Sequence, residues 1–91
     1  MRQITKQAVA AFMHGFNFKC GNTIVQDGKM YLHGNKIAEW RDVELWVSNA
    51  GWSSNTTKER LNGLPNVSIK QKNWVWHLNG NEWNGTWVKV R

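Results

Sequence analysis

The chain has 91 residues, seven of them tryptophan, with one proline, one cysteine and a formal net charge of +6. This length supports one small hydrophobic core, so we expect residues 1–91 to form a single domain, and no run of 18 apolar residues is present to cross a membrane. Lys6 and Gln7 interrupt the N-terminal apolar stretch, which therefore lacks the pattern of a secretory signal. Cys20 has no partner for an internal disulfide. Together these features predict a cytoplasmic protein with no membrane partner.

The positive charge is unevenly distributed along the chain. Residues 1–19 carry three basic side chains and no acidic one, and residues 58–91 carry six basic side chains against two acidic ones. Such an imbalance favours an anionic partner, which could be a nucleic acid, a nucleotide or the acidic surface of a host protein. The alternative is that the charge serves solubility alone.

The first predicted element is a helix that begins near Thr5 and ends at Gly15. Thr5 has the side chain of an N-cap residue, and Gly15 has the conformational freedom that a helix C-terminus requires. Ala8 and Phe12 fall on one apolar stripe at helical spacing. This stripe is expected to pack on a sheet.

Short strands joined by tight turns follow this helix. Asp27-Gly28 is typical of a two-residue hairpin turn, because both positions tolerate a positive φ. Alternation of apolar and polar residues predicts strands over 23–26, 29–33, 36–41 and 43–47. We interpret these four strands as an antiparallel meander.

A second, short helix is predicted after a loop over 48–55. Thr56 and Glu59 have the spacing of a capping box, and Gly63 and Pro65 end the helix. Further strands are predicted over 67–71, 74–78 and 86–90, with Trp74 on the same strand face as the apolar residues that follow it. The expected fold class is α+β, a twisted antiparallel sheet of six or seven short strands with one N-terminal helix and a second short helix.

A weak internal repeat is visible in the two halves of the chain. Leu32-His33-Gly34-Asn35 and Leu78-Asn79-Gly80-Asn81 match at an offset of 46 residues. Each follows a predicted hairpin turn, so residues 5–47 and 56–90 could be related units. Chance similarity between two β-hairpins is the alternative.

Side chains suited to catalysis or metal binding are sparse. His14, His33 and His77 lie far apart without the spacing of metal ligands. Cys20 could act as a nucleophile beside a histidine, but a lone cysteine more often packs as a small apolar residue. No Gly-rich phosphate-binding loop is present. We therefore expect a protein that is not an enzyme and that uses neither metal nor cofactor.

The start of the second helix combines an aromatic ring, hydroxyl groups and basic side chains. Free N–H groups at a helix N-terminus favour anions, hydroxyl and basic groups complete many phosphate sites, and an indole can stack on a base. The candidate ligand-binding residues are Trp52, Ser53, Thr56, Thr57, Lys58 and Arg60. The alternative is ordinary helix capping by the hydroxyl residues, with Trp52 packed on the sheet.

The tryptophans form a second group of candidates. A domain of this size buries only some of seven indoles, and exposed rings beside basic residues form stacking platforms for nucleic acid or anchors of protein interfaces. The residues concerned are Trp74, Trp76, Trp83 and Trp87, together with Lys72. For any single tryptophan, burial in the core is the alternative.

Three stretches of the chain resemble known sequences. They are Ala50-Gly51-Trp52-Ser53-Ser54-Asn55-Thr56-Thr57-Lys58-Glu59-Arg60-Leu61-Asn62-Gly63-Leu64, then Gln71-Lys72-Asn73-Trp74 with Leu78-Asn79-Gly80-Asn81-Glu82-Trp83, and the opening Met-Arg-Gln-Ile-Thr-Lys-Gln-Ala-Val-Ala-Ala-Phe. The pattern resembles a group of small tailed-bacteriophage accessory proteins. The resemblance implies an accessory gene product that acts in the bacterial cytoplasm, in host takeover or counter-defence. It implies no catalytic residue.

Two functions fit these observations. The first is a non-enzymatic phage protein that binds a phosphate-bearing ligand, either nucleic acid or a nucleotide signal that it sequesters. The alternative is a direct protein inhibitor that docks on a host enzyme or defence complex. The end strand over 86–90 would be an exposed edge, which also predicts a possible homodimer.

Overall fold

In a computed structural model, which describes residues 2–91, the chain forms two helices and nine strands. The helices are α1 (Gln3–His14) and α2 (Asn55–Asn62). The strands are β1 (Phe18–Cys20), β2 (Thr23–Gln26), β3 (Lys29–Leu32), β4 (Asn35–Arg41), β5 (Glu44–Val47), β6 (Ile69–Lys72), β7 (Val75–Leu78), β8 (Asn81–Glu82) and β9 (Val88–Lys89). They build a six-stranded antiparallel sheet in the order β1-β2-β3-β4-β5-β9 and a three-stranded antiparallel sheet β6-β7-β8. The predicted α+β class is confirmed.

One face of the six-stranded sheet forms the floor of the core. Val25, Met30, Ala38 and Val47 pair side by side across β2 to β5, and all four are buried. Side chains alternate between the two faces of a strand, so this row directs its apolar residues toward one side only. The buried apolar residues of both helices belong to the same hydrophobic cluster, so the helices pack on this face. We call it the core face and the opposite side the outer face.

The helix caps differ from the prediction. Ser54, not Thr56, is the N-cap of α2, and its Oγ accepts a hydrogen bond from the N–H of Thr57 at 3.1 Å. Thr5 lies inside α1, which begins two residues earlier, and its hydroxyl is used in contacts with α2. Gly15 ends α1 in the left-handed conformation, with φ 78°, as expected. No helix within residues 2–91 is long and apolar enough to cross a bilayer.

Two-residue turns with positive φ at both positions connect several strands. Asp27-Gly28 is such a turn, as predicted. The predicted strands over 67–71 and 74–78 imply a turn at Lys72-Asn73, but the turn lies one residue later, at Asn73-Trp74, because the buried pair Ile69 and Leu78 fixes the register of the hairpin. Trp74 therefore lies in the turn, and the prediction that it shares a strand face with Trp76 and Leu78 is wrong.

Strand β9 joins the large sheet instead of the small one. Val88 pairs with Val47 and Lys89 with Trp46, so the chain returns to β5 after completing the three-stranded sheet. Only two residues of the predicted 86–90 strand are assigned to it, and it forms one edge of the six-stranded sheet. At the other edge, β1 was not predicted, because three residues give too short a pattern to recognise.

The two hairpins that carry the proposed repeat share one register. Thr23 pairs with Leu32, and 46 residues later Ile69 pairs with Leu78. Just beyond these pairs, the N–H of His33 bonds the carbonyl of Asn22, and the N–H of Asn79 bonds that of Ser68, each at 2.8 Å. The helices do not keep the same offset. The equal register supports the internal repeat, which stays a prediction.

Candidate ligand-binding site

The 48–54 loop, which connects β5 to α2, has a conformation fixed by its own polar groups. The Oδ1 of Asn49 accepts a hydrogen bond from the N–H of Gly51 at 2.8 Å, and the Oγ of Ser48 accepts one from the N–H of Ala50 at 3.0 Å. The carbonyl of Gly85 anchors the loop from outside, because it accepts bonds from the N–H of Asn49 at 3.0 Å and from the hydroxyl of Ser48 at 2.8 Å. The loop is thus ordered although it contains no helix or strand.

A pocket of about 430 Å³ lies between the β3–β4 hairpin and the start of α2. Its lining residues are Leu32, His33, Asn35, Ile37, Asn49, Trp52, Ser54, Thr56 and Thr57. Leu32 and Ile37 make an apolar floor, and Trp52 is 62% exposed. We call this the Trp52 pocket. Its volume and its mixture of apolar and hydrogen-bonding groups are those of a small-molecule site.

A second pocket of about 410 Å³ lies against the same loop. Its lining residues are Asn49, Ser53, Gln71, Trp74, Val75, Trp76, Trp83 and Asn84. We call it the Trp74 pocket. The rings of Trp76 and Trp83 lie 6.2 Å apart between centroids. The Nζ of Lys58 donates to the Oε1 of Gln71 at 3.3 Å and lies 5.9 Å from the centre of the Trp76 ring.

The structure therefore joins residues from both predicted groups. Ser53, from the candidate anion site, lines the Trp74 pocket together with three of the candidate stacking tryptophans, and Lys58 lies beside one of these, Trp76. Trp52, Thr56 and Thr57 line the neighbouring pocket, and Asn49 contributes to both. Trp87 and Lys72 do not line either pocket. Trp87 lies 5.5 Å from the guanidinium of Arg41, and Lys72 is an exposed residue of β6.

Arg60 is not a surface residue, and its prediction as a ligand contact needs correction. Its side chain is 1% exposed, and its Nη1 lies 2.6 Å from the Oε1 of Glu59. The same nitrogen donates to the hydroxyl of Thr5 at 2.7 Å, and Nε donates to that of Thr23 at 3.1 Å. Arg60 thus connects α2 to α1 and β2 in the interior. Thr57 is also buried, and its N–H bonds the α2 cap.

The carboxylate of Glu59 is ionised in this arrangement. Partial burial opposes its charge, but a hydrogen bond from Thr5, one from the N–H of Arg2 and the nearby charge of Arg60 together lower its pKa below the usual range. The ion pair is structural, because it lies between the two helices and not in either pocket.

Sequence reasoning missed the contribution of the β3–β4 hairpin. Leu32, His33, Asn35 and Ile37 line the Trp52 pocket although 15 or more residues separate them from Trp52. The repeated Leu-x-Gly-Asn motif marks this hairpin in the sequence, but nothing in the motif indicates a ligand. No cluster of three or more His, Cys, Asp or Glu suited to a metal ion occurs in the part of the chain that the structure describes.

Comparison with known proteins identifies the family of the chain. No curated protein sequence and no solved structure matches it significantly. The family model of the Kyanoviridae Gp96 protein, however, matches residues 1–89. This match supports the resemblance to phage proteins, without bearing on the particular segments that suggested it. Since the match spans nearly the whole sequence, the chain belongs to the Kyanoviridae Gp96 protein family, a family of phage proteins.

Proposed function

We propose that this phage protein is a non-enzymatic accessory protein that binds a nucleotide in the Trp52 pocket, in the cytoplasm of the infected host. Sequestering such a ligand would serve host takeover or counter-defence, and it requires affinity without catalytic groups. The observation that supports the proposal is the exposed Trp52 indole beside a pocket with an apolar floor and a hydroxyl-lined rim.

The start of α2 supplies hydrogen-bond donors for the phosphate end of such a ligand. The first helical hydrogen bond runs from the N–H of Lys58 to the carbonyl of Ser54 at 3.1 Å, so the N–H groups of Asn55 and Thr56 precede the helical ladder. The hydroxyl of Thr56 lies at the same rim. Free N–H groups and a partial positive charge at a helix N-terminus favour a phosphate. The base would then stack on Trp52.

Trp52→Ala tests this assignment. Loss of a base-stacking ring costs about 1–3 kcal/mol of binding free energy, so we expect nucleotide affinity to fall at least fivefold. Isothermal titration of the purified protein with AMP, ATP and cyclic dinucleotides measures the affinity, and quenching of tryptophan fluorescence provides a second signal. Phe16→Ala is the matched control, because Phe16 is an exposed aromatic residue at the end of α1, outside the pocket. Equal losses in the two variants, or no heat with any nucleotide, would exclude the proposal.

A direct protein inhibitor is the second candidate function, and Trp74 favours it. Trp74 lies in a turn with φ 68° and is 91% exposed. Bulky residues rarely adopt a positive φ, and such outliers cluster at functional sites. Val75 is also exposed beside it. Large rings of this kind anchor protein interfaces, so an acidic host protein or a second copy of the chain could cover this surface.

Trp74→Gly separates this candidate from the nucleotide site. Glycine adopts the positive φ without strain, so we expect the free energy of unfolding to stay unchanged or to rise by up to about 1 kcal/mol. If a protein docks here, the variant loses partners that the wild type retains from nuclease-treated host lysate, and a dimer would become a monomer by light scattering. Unchanged partner retention and unchanged mass would argue against this function.

A further inference from the structure

The outer face of the six-stranded sheet has its own chemistry. Pairing across the strands places Gln26, Lys29, Glu39, Trp46 and Lys89 in one row. A second row contains Lys19, Ile24, Tyr31 and Lys36. Arg41 and Glu44, which pair at the ends of β4 and β5, extend the same side. Along each strand, the residues of these rows alternate with the buried residues of the core face. Their side chains therefore lie on the outer face, away from the helices.

Basic side chains outnumber acidic ones on these strands. The basic residues are Lys19, Lys29, Lys36, Arg41 and Lys89, and the acidic ones are Glu39 and Glu44. Both carboxylates are already neutralised by neighbours: Glu39 lies 2.7 Å from Lys36 and 2.6 Å from Arg41, and Glu44 lies 3.4 Å from Lys89. Within residues 2–91, Lys19 and Lys29 have no carboxylate at ion-pair distance. The strand residues of this face therefore carry a net charge of +3, which Asp27 in the β2–β3 turn lowers to +2.

Aromatic rings are interleaved with these charges. The guanidinium of Arg41 lies 4.1 Å from the centre of the Trp46 ring and 5.5 Å from that of Trp87. The Nζ of Lys36 lies 5.6 Å from the Trp87 ring. Tyr31 is half-buried in the middle of the face and lines a shallow concavity with Lys29 and Asp27. The planar groups of Arg41 and Tyr31 thus lie on one surface with the lysines.

We propose that the outer face binds single-stranded nucleic acid. A positively charged surface attracts the phosphate backbone, and planar aromatic and guanidinium groups stack on unpaired bases. A duplex hides its base faces, so it cannot use the rings of a sheet surface in this way. An acidic protein can also pack on such rings, so competition by a polyanion that has no bases distinguishes the two kinds of partner. Six strands spaced about 4.8 Å apart make a face about 24 Å wide, which suits the segments of about 4–16 nucleotides that small sheet domains cover.

This surface is distinct from the nucleotide site. Leu32 and Ile37 of the Trp52 pocket belong to the core-facing side of β3 and β4, whereas Tyr31 and Lys36 lie on the outer side of the same strands. The proposal therefore goes beyond the pocket and does not depend on it. Trp52→Ala is expected to leave single-strand binding unchanged.

Fluorescence anisotropy with a labelled 12-nucleotide oligo(dT) tests the proposal on the intact protein. We expect oligo(dT) to bind at least tenfold more tightly than a 12-base-pair duplex. If three or four phosphates are neutralised, affinity falls about thirtyfold between 50 and 200 mM salt. Lys19→Ala/Lys29→Ala is expected to weaken binding at least tenfold, and Tyr31→Leu to weaken it several-fold at unchanged charge. Lys70→Ala/Lys72→Ala, which removes two exposed charges from β6, is the matched control and should retain binding.

Several results would overturn this assignment. One is no rise in anisotropy at 100 µM protein in 50 mM salt. Others are equal losses in the two lysine pairs or equal affinity for the duplex. Competition by polyglutamate as effective as that by unlabelled oligo(dT) would assign the face to acidic proteins instead. Unfolding curves in urea confirm that each variant is folded, and the lysine pair tests the proposal even if Tyr31→Leu is unstable.

Discussion

Glu59→Gln is expected to lower the free energy of unfolding by about 3 kcal/mol. Among the described residues, Glu59 is the one carboxylate within ion-pair distance of Arg60, whose guanidinium is almost fully buried. Removal of one partner of a fully buried ion pair costs about 3–5 kcal/mol, because the remaining charge is left uncompensated. Since the Glu59 side chain is 28% exposed, we expect a value at the lower end of this range. The Nη2 of Arg60 already lacks a hydrogen-bond partner in the described structure, which leaves little scope for compensation. Urea unfolding of the variant and the wild type measures the difference.

Two comparisons make this prediction specific. Glu44→Gln removes an exposed carboxylate that lies 3.4 Å from Lys89, and such surface pairs contribute little to stability. Glu59→Gln/Arg60→Met removes both charges and is expected to recover most of the lost stability, because an apolar pair often replaces a buried ion pair without cost. An equal effect of Glu59→Gln and Glu44→Gln would contradict the structural role of the pair.

The same ion pair gives the stability a definite dependence on pH. Because the pKa of Glu59 is lowered in the folded protein, its contribution is complete above the ordinary carboxyl pKa of about 4.3 and is lost as the pH falls through the folded-state value. Hydrogen bonds from Lys36 and Arg41 lower the pKa of Glu39 in the same direction. The wild type should therefore lose stability below about pH 4, and the loss should be smaller in Glu59→Gln.

Gly85→Ala is expected to lower the free energy of unfolding by about 3–4 kcal/mol and to abolish nucleotide binding. Gly85 has φ 89°, which strains any L side chain by about 1–2 kcal/mol. A Cβ there would also overlap the side chain of Asn49, and overpacking costs a further 1–3 kcal/mol or so. Displacement of Asn49 breaks the hydrogen bonds that order the 48–54 loop and position Trp52. Urea unfolding and nucleotide titration measure the two effects.

Gly80→Ala separates backbone strain from overlap. Gly80 has the same φ of 89°, but a Cβ there would meet no heavy atom within 4 Å. We therefore expect this variant to lose only about 1–2 kcal/mol of stability and to retain nucleotide binding. If Gly85→Ala and Gly80→Ala lowered the free energy of unfolding by the same amount, the close contact between Gly85 and Asn49 would not be needed to order the 48–54 loop.

Strand positions could be predicted from the sequence where the pattern is local. The alternation of apolar and polar residues predicted β2 to β5, and Asp27-Gly28 predicted the hairpin turn between β2 and β3. Both signals depend on adjacent residues. The helix caps were harder to predict. Several hydroxyl residues lie near the start of α2, and only the backbone conformation identifies Ser54 as its N-cap. The return of β9 to β5 was also beyond prediction. It pairs residues about 40 positions apart, and no short pattern records such a pairing.

The candidate site could be predicted only in part. Trp52 and Thr56 were identified because aromatic and hydroxyl groups near a helix start are suggestive by type. The basic side chain of Arg60 suggested a ligand contact at the surface. Its position on α2 instead directs it toward α1 and β2, into the interior. The outer face went unnoticed as well. Its lysines and rings come from five strands, and they meet only once the register is known.

The pairing of β9 with β5 also has a consequence for the order of folding. Strands β1 to β5 are sequential neighbours joined by short turns, so their contacts close small loops at low entropic cost. The pairing of β9 with β5, which extends to the carbonyl of Arg91, closes the long excursion that contains α2 and the small sheet. A nascent chain can therefore assemble five strands while it is still being synthesised. Strand β9 then pairs with β5 late in this order, and the Gly85 anchor of the 48–54 loop becomes available only after α2 and the small sheet have been synthesised.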